Sequence, residues 1–369
     1  MGPTNNERNY NLYKIAVIGG DGIGPEVTRE ALKVLKVTSE LIGFEYETTD
    51  YPFGSEHYLK TGELVPESVY DEYREHNAIF LGAIGDPRCE VGLVERAVIG
   101  GIRFKLDLYI NLRPIKLYSE TLCPIKDKKC EDVDMVVVRE NTEDVYTGLG
   151  GIMKKGTPDE VAIANMVFTR KGCERAVRYA FELAKARNKD NKVTLIDKAN
   201  AIRAQDIWTR TLVEVGAEYP DIEQDHAYID AACMWLVKNP EWFDVVVTTN
   251  IFGDIFTDLG AMVQGGMGIA ASGNIHPGQV SMFEPIHGSA PKYKDKNVAS
   301  PIAAIMAAQM MLEFLGEKKG AVAIESAITA LLSSGQLPSL DARSGFSTTK
   351  VGDMVVEELK KNKVSKTSV

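Results

Sequence analysis

Residues 13–26 read YKIAVIGGDGIGPE, an apolar run of strand length followed at once by a glycine-rich loop. A helical pattern then extends from Glu26 to about Leu41. Apolar strands that lead into helices are typical of parallel sheets covered by helices on both faces. The pattern recurs at three later apolar runs, Ala78–Ala83, Val193–Ile196 and Asp244–Thr248. The chain is therefore predicted to have an α/β fold with a parallel-rich central sheet flanked by helices.

The glycine loop Gly19–Gly24 matches the GxGxxG spacing of dinucleotide-binding folds only loosely. Its embedded Asp21 and the following Pro25 are unlike that fingerprint, so the loop is a weak signal for a Rossmann fold. The favoured interpretation is a tight turn that needs positive φ angles, which glycine adopts at little cost.

The stretch from Met135 to about Thr169 departs from the strand–helix order, because no helical pattern separates its apolar runs. It contains Val136–Val138, a turn cluster at Gly148–Gly151, and Val161–Phe168. Such a stretch is typical of antiparallel strands or an extended arm. Helical patterns then close the chain at Pro301–Gly316, Ala321–Ser334 and Val351–Lys361.

The composition excludes several classes of protein. The 42 basic and 52 acidic residues give a formal charge of −10 without a basic block, so we expect no binding to nucleic acid. No apolar run approaches the roughly 20 residues that cross a bilayer, so we expect no membrane span. The polar start, Met1–Arg8, lacks the basic and then apolar order of a signal peptide.

The cysteines and histidines argue against disulfide and zinc frameworks. Five cysteines without a CxxC pair favour reduced thiols in a cytoplasmic protein, although Cys123 and Cys130 are spaced so that a bridge is conceivable. The five histidines show no HExxH or HxH spacing, which makes a zinc site improbable. Any metal is therefore expected to be held by carboxylates.

Three arginines, Arg103, Arg113 and Arg139, lie beside apolar stretches around one extended segment. One such arginine alone would be interpreted as a solvated surface residue. Three together favour a substrate with two or more carboxylates, because each guanidinium presents a fork of donors that fits a carboxylate. Tyr146, seven residues after Arg139, is by itself expected only to be a buried or half-buried aromatic residue.

Two aspartates, Asp254 and Asp258, follow the strand-like run that ends at Thr248, and Gly253 is expected to separate that strand from a helix. The helix would place both carboxylates on one face, where they repel each other unless a divalent cation lies between them. Oxygen ligands alone suit Mg²⁺ or Mn²⁺. The alternative is an aspartate that interacts with the helix dipole beside an unrelated exposed one. Asp230 is a lone acid inside an apolar run, which a solvated helix face explains poorly.

Two loops complete the candidate site. Lys198, in the segment DKAN at 197–200, follows a strand at the edge where α/β proteins bind ligands. Beside a metal and arginines it is a candidate base, and an exposed loop lysine is the alternative. The segment EPIHGSAPKY at 284–293 holds a Gly-Ser-Ala turn between two prolines, whose N–H groups suit a nucleotide. An ordinary surface loop is the alternative there.

Five motifs together resemble the metal-dependent β-decarboxylating dehydrogenases of 2-hydroxy acids, the isocitrate/isopropylmalate dehydrogenase family. They are GDGIGPE at 20–26, NLRP at 111–114, RENTE at 139–143, NIFGDIFTDL at 250–259 and FEPIHGSAP at 283–291. With Ser272–Ile275 included, the pattern looks most similar to the isopropylmalate dehydrogenases within that family. The resemblance implies a two-domain isopropylmalate-dehydrogenase-like fold that is not a true Rossmann fold.

The resemblance also implies a domain organisation. A discontinuous cofactor-binding domain would comprise residues 1–108 and 265–369, and a substrate and dimerisation domain would comprise residues 109–264. An arm near residues 143–170 would belong to the second domain. A homodimer with shared active sites is implied.

The resemblance assigns catalytic and metal-binding roles residue by residue. Tyr146 matches the tyrosine that helps to protonate the enol after CO₂ leaves. Lys198 matches the lysine that accepts the hydroxyl proton and reaches the active site of the partner subunit. The metal ligands would be Asp254 and Asp258 of one chain and Asp230 of the other. The substrate-binding positions would be Arg103, Arg113, Arg139, Ile99, Gly100 and Asn200.

The implied cofactor is a nicotinamide nucleotide together with Mg²⁺ or Mn²⁺. The adenosine-binding loop would comprise His287, Gly288, Ser289 and Ala290. Family members that use NAD carry an acid and a small apolar residue after this loop, whereas this chain has Lys292 and Tyr293, similar to the NADP-using isocitrate dehydrogenases. NADP is therefore the predicted cofactor, with NAD as the alternative. Ser300 replaces the usual Asn, and Arg343 is a candidate for the missing C-terminal partner of a 2′-phosphate.

The implied reaction is the oxidative decarboxylation of a 3-substituted malate, a small 2-hydroxy diacid, with 3-isopropylmalate favoured. Ile99–Gly100 stands where isopropylmalate enzymes carry two leucines, so a different or bulkier substituent is an alternative. Ala97 and Ile99 stand where isocitrate enzymes carry Ser and Asn, which disfavours isocitrate and homoisocitrate. Tartrate or D-malate is the other substrate alternative. A catalytically silent regulatory subunit is disfavoured, because the lysine, tyrosine and aspartates are all present.

Overall fold

The computed structural model describes residues 12–366. Residues 1–11 and 367–369 lie outside this description, and with them the polar start on which the expectation of no signal peptide rests. The α-helices of the described chain are α1 Gly24–Ile42, α2 Ser55–Thr61, α3 Glu67–Arg74, α4 Leu93–Glu95, α5 Gly101–Lys105, α6 Arg170–Arg187, α7 Asp206–Gly216, α8 Ile229–Lys238, α9 Asn250–Val263, α10 Ile302–Phe314, α11 Lys318–Ser333 and α12 Thr348–Lys366.

The strands of the described chain overlap every apolar run predicted above and include others that were not predicted. They are β1 Leu12–Gly20, β2 Glu45–Asp50, β3 Ala78–Ala83, β4 Ile110–Lys116, β5 Asp134–Glu140, β6 Gly150–Met153, β7 Val161–Ala164, β8 Lys192–Asp197, β9 Glu223–Tyr228, β10 Val245–Thr248, β11 Ala271–Ile275 and β12 Ser281–Pro285. All residues of β3 and β10 are buried, as expected of strands covered on both faces.

Ten of these strands form one mixed sheet in the order β2-β1-β3-β12-β11-β4-β5-β10-β8-β9. The pairs β12–β11, β11–β4 and β4–β5 are antiparallel, and the other six pairs are parallel. The predicted parallel-rich sheet is therefore confirmed, with its antiparallel pairs in the middle. The boundary proposed between the two domains falls between β11 and β4 in this order, with five strands on either side.

The predicted arm is confirmed as an antiparallel hairpin of β6 and β7, separate from the main sheet. Every residue of both strands is exposed in the single chain. The exposed apolar side chains of this arm are Leu149, Ile152, Met153, Val161 and Ile163.

The glycine loop after β1 forms a tight turn, as the favoured interpretation required. Gly20 and Gly22 have φ angles of +73° and +57°, and a Cβ on Gly22 would collide with the carbonyl oxygen of Ser289. Between them, the buried carboxylate of Asp21 accepts hydrogen bonds from the amide and hydroxyl of Ser55 at 2.7 Å and from the Gly85 amide at 2.9 Å. The loop therefore ties three chain segments together through Asp21.

The expectations drawn from composition about membrane spans and disulfides can be compared with the described residues. Between residues 12 and 366, no helix is both long and apolar enough to span a bilayer. All five cysteines are free thiols, including Cys123 and Cys130.

We expect Asp21→Ala to destabilise the fold by about 2–4 kcal/mol, because three buried donors lose their acceptor. Thermal or urea unfolding measures the change. Asp50→Ala, which removes an exposed carboxylate at the end of β2, serves as the control and should stay within about 0.5 kcal/mol of the wild type. Equal effects of the two substitutions would contradict this role of Asp21.

Candidate active site

Arg113 and Arg139 lie on the neighbouring antiparallel strands β4 and β5, and only 7% and 2% of their surfaces are exposed. Asp254 of α9 accepts from both: Nη1 of Arg139 lies 2.5 Å and Nη2 of Arg113 lies 3.4 Å from its Oδ1 atom. The hydroxyl of Tyr146 donates to the other oxygen of Asp254 at 3.2 Å. These four predicted site residues therefore form one cluster, which is called the arginine–aspartate cluster below.

The helix that carries the aspartates begins earlier than expected. α9 starts at Asn250, so the expectation that Gly253 separates strand from helix is wrong. Gly253 lies inside the first turns of this helix, against Arg139. A Cβ there would come within 2.5 Å of the Cγ atom of Arg139, which explains why this residue is a glycine. The glycine leaves room for the arginine to pass over the helix. Asp254 consequently lies beyond the first turn, and the helix-dipole alternative does not apply to it.

Asp258 follows one turn later on α9, on the same face as Asp254. Nη1 of Arg113 lies 3.5 Å from its Oδ1 atom. About half of its side chain is exposed. The two candidate metal ligands thus share one helix face, as the i and i+4 spacing predicted, and both lie beside Arg113.

Burial and charge set the protonation of this cluster. Desolvation lowers the pKa of Arg113, and it lowers that of Arg139 to about 10, with repulsion from Arg113 adding to the effect on Arg139. Burial acts to raise the pKa of Asp254, but the charges of Arg139 and Arg113 outweigh it and hold that pKa below its ordinary value. Burial raises the pKa of Asp258, with Arg113 opposing the shift.

Arg103, on α5, is held by an acceptor that the sequence interpretation gave no role. Its Nη2 atom donates to buried Glu284 at 2.9 Å, and the Asn274 amide donates to the same oxygen at 2.8 Å. The oxygen of Asn274 accepts from Asn111 at 2.9 Å, and Asn111 in turn accepts from Nε of Arg113 at 2.7 Å. Arg103 and Arg113 are therefore joined through one buried network. The available signal was the presence of Asn111 and Asn274 at buried positions of the two strands, which the sequence alone did not mark as buried.

Lys198 and Asp230 form a second, separate pair. The Nζ atom of Lys198 lies 2.5 Å from Oδ1 of Asp230, the second residue of α8. Asn200 lies exposed in the turn that follows Lys198. Among residues 12–366, no three His, Cys, Asp or Glu side chains converge as metal ligands, so one chain does not unite Asp230 with Asp254 and Asp258.

The predicted nucleotide loop follows β12 and rests on the glycine loop, since the Ile23 amide donates to the carbonyl of Ser289 at 2.8 Å. The Ser289 hydroxyl donates to the Gly85 carbonyl at 2.6 Å, which fixes the turn. The Nε2 atom of His287 is buried without a hydrogen-bond partner, and Gly288 has open space where a Cβ would stand. Ala290 completes the turn with a φ of +40°.

The residues after this turn differ in exposure. Lys292 is exposed, and its ammonium lies 4.7 Å from the ring centre of half-buried Tyr293. The Ser300 hydroxyl lies 3.4 Å from the Gly268 carbonyl, to which it donates. Exposed Arg343 lies close enough to Tyr293 for the two to interact electrostatically.

The candidate substituent pocket lies on the turn Arg96–Gly100, a single π-helical turn between α4 and α5. Such turns are frequent at functional sites. Ile99 is half-buried, and a Cβ on Gly100 would meet its nearest atom only at 3.9 Å. Position 99 therefore presents an apolar side chain, and position 100 presents none.

The sequence profile of the isocitrate/isopropylmalate dehydrogenase family matches residues 14–355 of this chain. The chain belongs to this family. The resemblance found from the motifs is confirmed, and the protein is a decarboxylating dehydrogenase that acts on a CH–OH group. The family acts on small hydroxy acids and depends on a divalent metal and a nicotinamide nucleotide.

Relatives within the isocitrate/isopropylmalate dehydrogenase family match along almost their whole length. A 3-isopropylmalate dehydrogenase from Corynebacterium glutamicum is 49% identical over 350 residues, which cover 94% of this chain and 99% of the relative. The 3-isopropylmalate dehydrogenase from Thermobifida fusca is 47% identical over 351 residues, or 94% of this chain and 97% of the relative.

Solved structures of the family share the fold. The isocitrate dehydrogenase from Methylococcus capsulatus has a TM-score of 0.85 at 38% identity, covering 95% of this chain and 100% of that one. A β-decarboxylating dehydrogenase from Thermococcus kodakarensis, in its apo form, has a TM-score of 0.79 at 32% identity, covering 97% and 99%. The expected isopropylmalate-dehydrogenase-like fold is thereby confirmed.

We expect Gly253→Ala to raise KM for the hydroxy acid about tenfold or more, because the added methyl group displaces Arg139 from its charge-assisted contacts. Steady-state kinetics measures the change. Lys319→Ala is the control, since this exposed residue of α11 lies outside the cluster and outside the arm. A KM for Gly253→Ala equal to that of the control would show that the added methyl group does not displace Arg139.

Proposed function

We propose that this enzyme catalyses the oxidative decarboxylation of 3-isopropylmalate, with hydride transfer to NADP, in the presence of Mg²⁺ or Mn²⁺. The observation that carries the proposal is the arginine–aspartate cluster, in which Arg113, Arg139 and Tyr146 all contact Asp254. The substrate is chosen because two relatives that match nearly the whole chain are named 3-isopropylmalate dehydrogenase.

The arginines suit a diacid. Arg103, Arg113 and Arg139 carry three positive charges, which the carboxylates of Glu284, Asp254 and Asp258 balance. A divalent cation leaves two positive charges in excess, which matches the two carboxylates of a malate. Guanidinium forks then bind each carboxylate through paired hydrogen bonds and fix the hydroxyl-bearing carbon in one orientation.

The residues of the cluster fit a hard divalent cation. Asp254 and Asp258 of one chain, with Asp230 of a second copy, would supply carboxylate oxygens only, the donor set that Mg²⁺ and Mn²⁺ prefer. A cation held there polarises the hydroxyl oxygen and stabilises negative charge on it during the reaction.

Two proton transfers fall to protein side chains. Lys198 would take the proton of the substrate hydroxyl, and a bound nicotinamide would supply the acceptor for the hydride of the carbon that bears this hydroxyl. After CO₂ has left, Tyr146 donates a proton to the enol carbon. Burial, and after it the negative charge of Asp254, raises the pKa of Tyr146, so its hydroxyl stays protonated and able to donate.

The loop after β12 suits the nucleotide. The buried, unpartnered Nε2 atom of half-buried His287 is available to a polar group of the adenosine, and the open space at Gly288 admits a close approach. Lys292 and Arg343 supply positive charge beside Tyr293, which favours the 2′-phosphate of NADP over the free hydroxyl of NAD.

A malate with another 3-substituent is the second candidate substrate. The glycine at position 100 favours it, because this position presents no side chain to pack against an isopropyl group. Loss of such packing removes about 1–3 kcal/mol of discrimination between alkyl groups.

The homodimer is proposed from exposed apolar surface in the single chain. The arm and the helices α8 and α9 present large apolar side chains to solvent, which is the usual mark of a protein interface. On the helices they are Met234, Val237, Ile255 and Met262. Docking of these faces would bring the Lys198–Asp230 pair of one copy to the arginine–aspartate cluster of the other. The two-domain division and a cytoplasmic location remain predictions.

A substrate panel tests the reaction. With Mn²⁺ present, we expect 3-isopropylmalate to give the highest kcat/KM among 3-substituted malates, isocitrate, homoisocitrate, tartrate and D-malate. Absorbance of the reduced nucleotide measures the rate. A larger value for another malate would replace the substrate, and no turnover of any member would favour the silent regulatory subunit.

The same assay tests the nucleotide. We expect NADP to be preferred to NAD, and Lys292→Asp to shift that ratio toward NAD about tenfold or more, because an acid repels the 2′-phosphate. Lys296→Asp, an equal charge reversal at another exposed position of the loop, is the control. A wild-type preference for NAD would show that Lys292 does not select the cofactor.

A hybrid dimer tests the shared site. Lys198→Met and Asp254→Asn should each lower kcat about 100-fold or more as homodimers. Co-expression with two affinity tags yields a dimer with one copy of each. If the two residues serve one site from different chains, one of the two sites is intact and about half of the wild-type activity returns. Activity that stays at the level of the parent homodimers would place both residues in one chain's site.

A further inference from the structure

Asp144 has no role in the proposed mechanism, yet it combines two energetically unfavourable features. Its backbone has a φ of +68°, in the left-handed region that favours glycine, and its side chain is completely buried. Burial also raises the pKa of its carboxyl, since desolvation disfavours the charged form. A strained backbone and a buried carboxylate persist at one position only where surrounding contacts stabilise them.

The contacts of Asp144 join two segments that are distant in sequence. Its Oδ2 atom accepts from the backbone amide of Ile251 at 3.0 Å, and its Oδ1 atom accepts from that of Val145 at 2.8 Å. Ile251 lies in the first turn of α9, whose N-cap residue, Thr249, makes no side-chain capping hydrogen bond. Asp144 therefore supplies from another segment an acceptor that a helix usually takes from its own N-cap.

Asp144 begins the short segment that carries Tyr146, the proposed proton donor. Asp144–Thr147 forms a single 3₁₀ turn, and the Tyr146 hydroxyl donates from this turn to Asp254 at 3.2 Å. The turn and α9 are thus joined twice, at the base by Asp144 and Ile251 and at the tip by Tyr146 and Asp254. A further hydrogen bond, from the Asn250 side chain to the Glu143 carbonyl at 3.3 Å, supports the base.

We propose that Asp144 is a positioning residue that fixes the Tyr146 hydroxyl relative to Asp254 by fastening the 3₁₀ turn to the first turn of α9. The inference rests on the proposed function only in giving Tyr146 the role of proton donor. Glycine would adopt the same φ without strain but would offer no carboxylate to Ile251. The aspartate is explained by that carboxylate, because the backbone conformation alone favours glycine.

The test replaces Asp144 by residues that keep the backbone conformation. We expect Asp144→Gly to lower kcat about tenfold or more while KM for the hydroxy acid changes less than about twofold, because a small misplacement of a proton donor slows the chemical step. Asp144→Asn, which tolerates a left-handed φ and keeps an acceptor oxygen, should restore most of kcat. Asn188→Gly is the control, since Asn188 has a φ of +47° at the C-cap of α6 and should leave kcat unchanged.

A solvent isotope effect separates positioning from general destabilisation. If proton donation becomes slower in Asp144→Gly, the ratio of kcat in H₂O to kcat in D₂O should increase over the wild-type ratio. A variant that is merely less stable shows a lower Tm with an unchanged ratio, and that result would overturn the proposal.

A double-mutant cycle with Tyr146→Phe decides whether Asp144 acts through the tyrosine. In the phenylalanine background, Asp144→Gly should change kcat less than about twofold, because the hydroxyl it positions is already absent. A full loss in both backgrounds would overturn the proposal. If Tyr146→Phe lowers kcat but Asp144→Gly does not, the positioning role alone fails. If Tyr146→Phe leaves kcat unchanged, the role of Tyr146 in the proposed function fails, and this inference with it.

Discussion

A single carboxylate between two buried guanidinium groups is the interaction on which the site depends. Arg113 and Arg139 are almost entirely buried, and two like charges at this depth are strongly unfavourable without a counter-charge. Asp254 supplies that charge by accepting from both. The surrounding structure meets this requirement: β4 and β5 pair directly, α9 crosses them, and Gly253 leaves space for the Arg139 side chain.

The middle of the sheet connects the parts of the substrate site. Its antiparallel strands β11, β4 and β5 lie where the two predicted domains would meet, and they carry Asn274, Asn111 and Arg139 side by side. The two asparagines link Glu284, which accepts from Arg103, to Arg113, which donates to Asn111. Arginines from different elements therefore share one hydrogen-bonded network, so their relative positions depend on the sheet rather than on flexible loops.

Lys198, the proposed base, makes its ion pair outside this cluster. Lys198 pairs with Asp230 at the start of α8, while Asp254 and Asp258 lie on α9, and both helices expose large apolar side chains. Asp230 lies inside an apolar run whose residues Met234 and Val237 are exposed in the single chain rather than buried in the core.

Periodicity and motif order were sufficient for the α/β class, the arm and the parallel-rich sheet, because strand burial and helix patterns are local properties of the chain. Residue types and spacing also identified the arginines, the aspartates and Lys198 as candidates. Neither could show that Gly253 lies within α9, where it packs against the side chain of Arg139, a residue more than 100 positions away. Nor could they show that Glu284 holds Arg103 or that Asp144 holds Ile251. Those contacts join residues that are distant in sequence, and only the packing of strands and helices in three dimensions decides which of them meet.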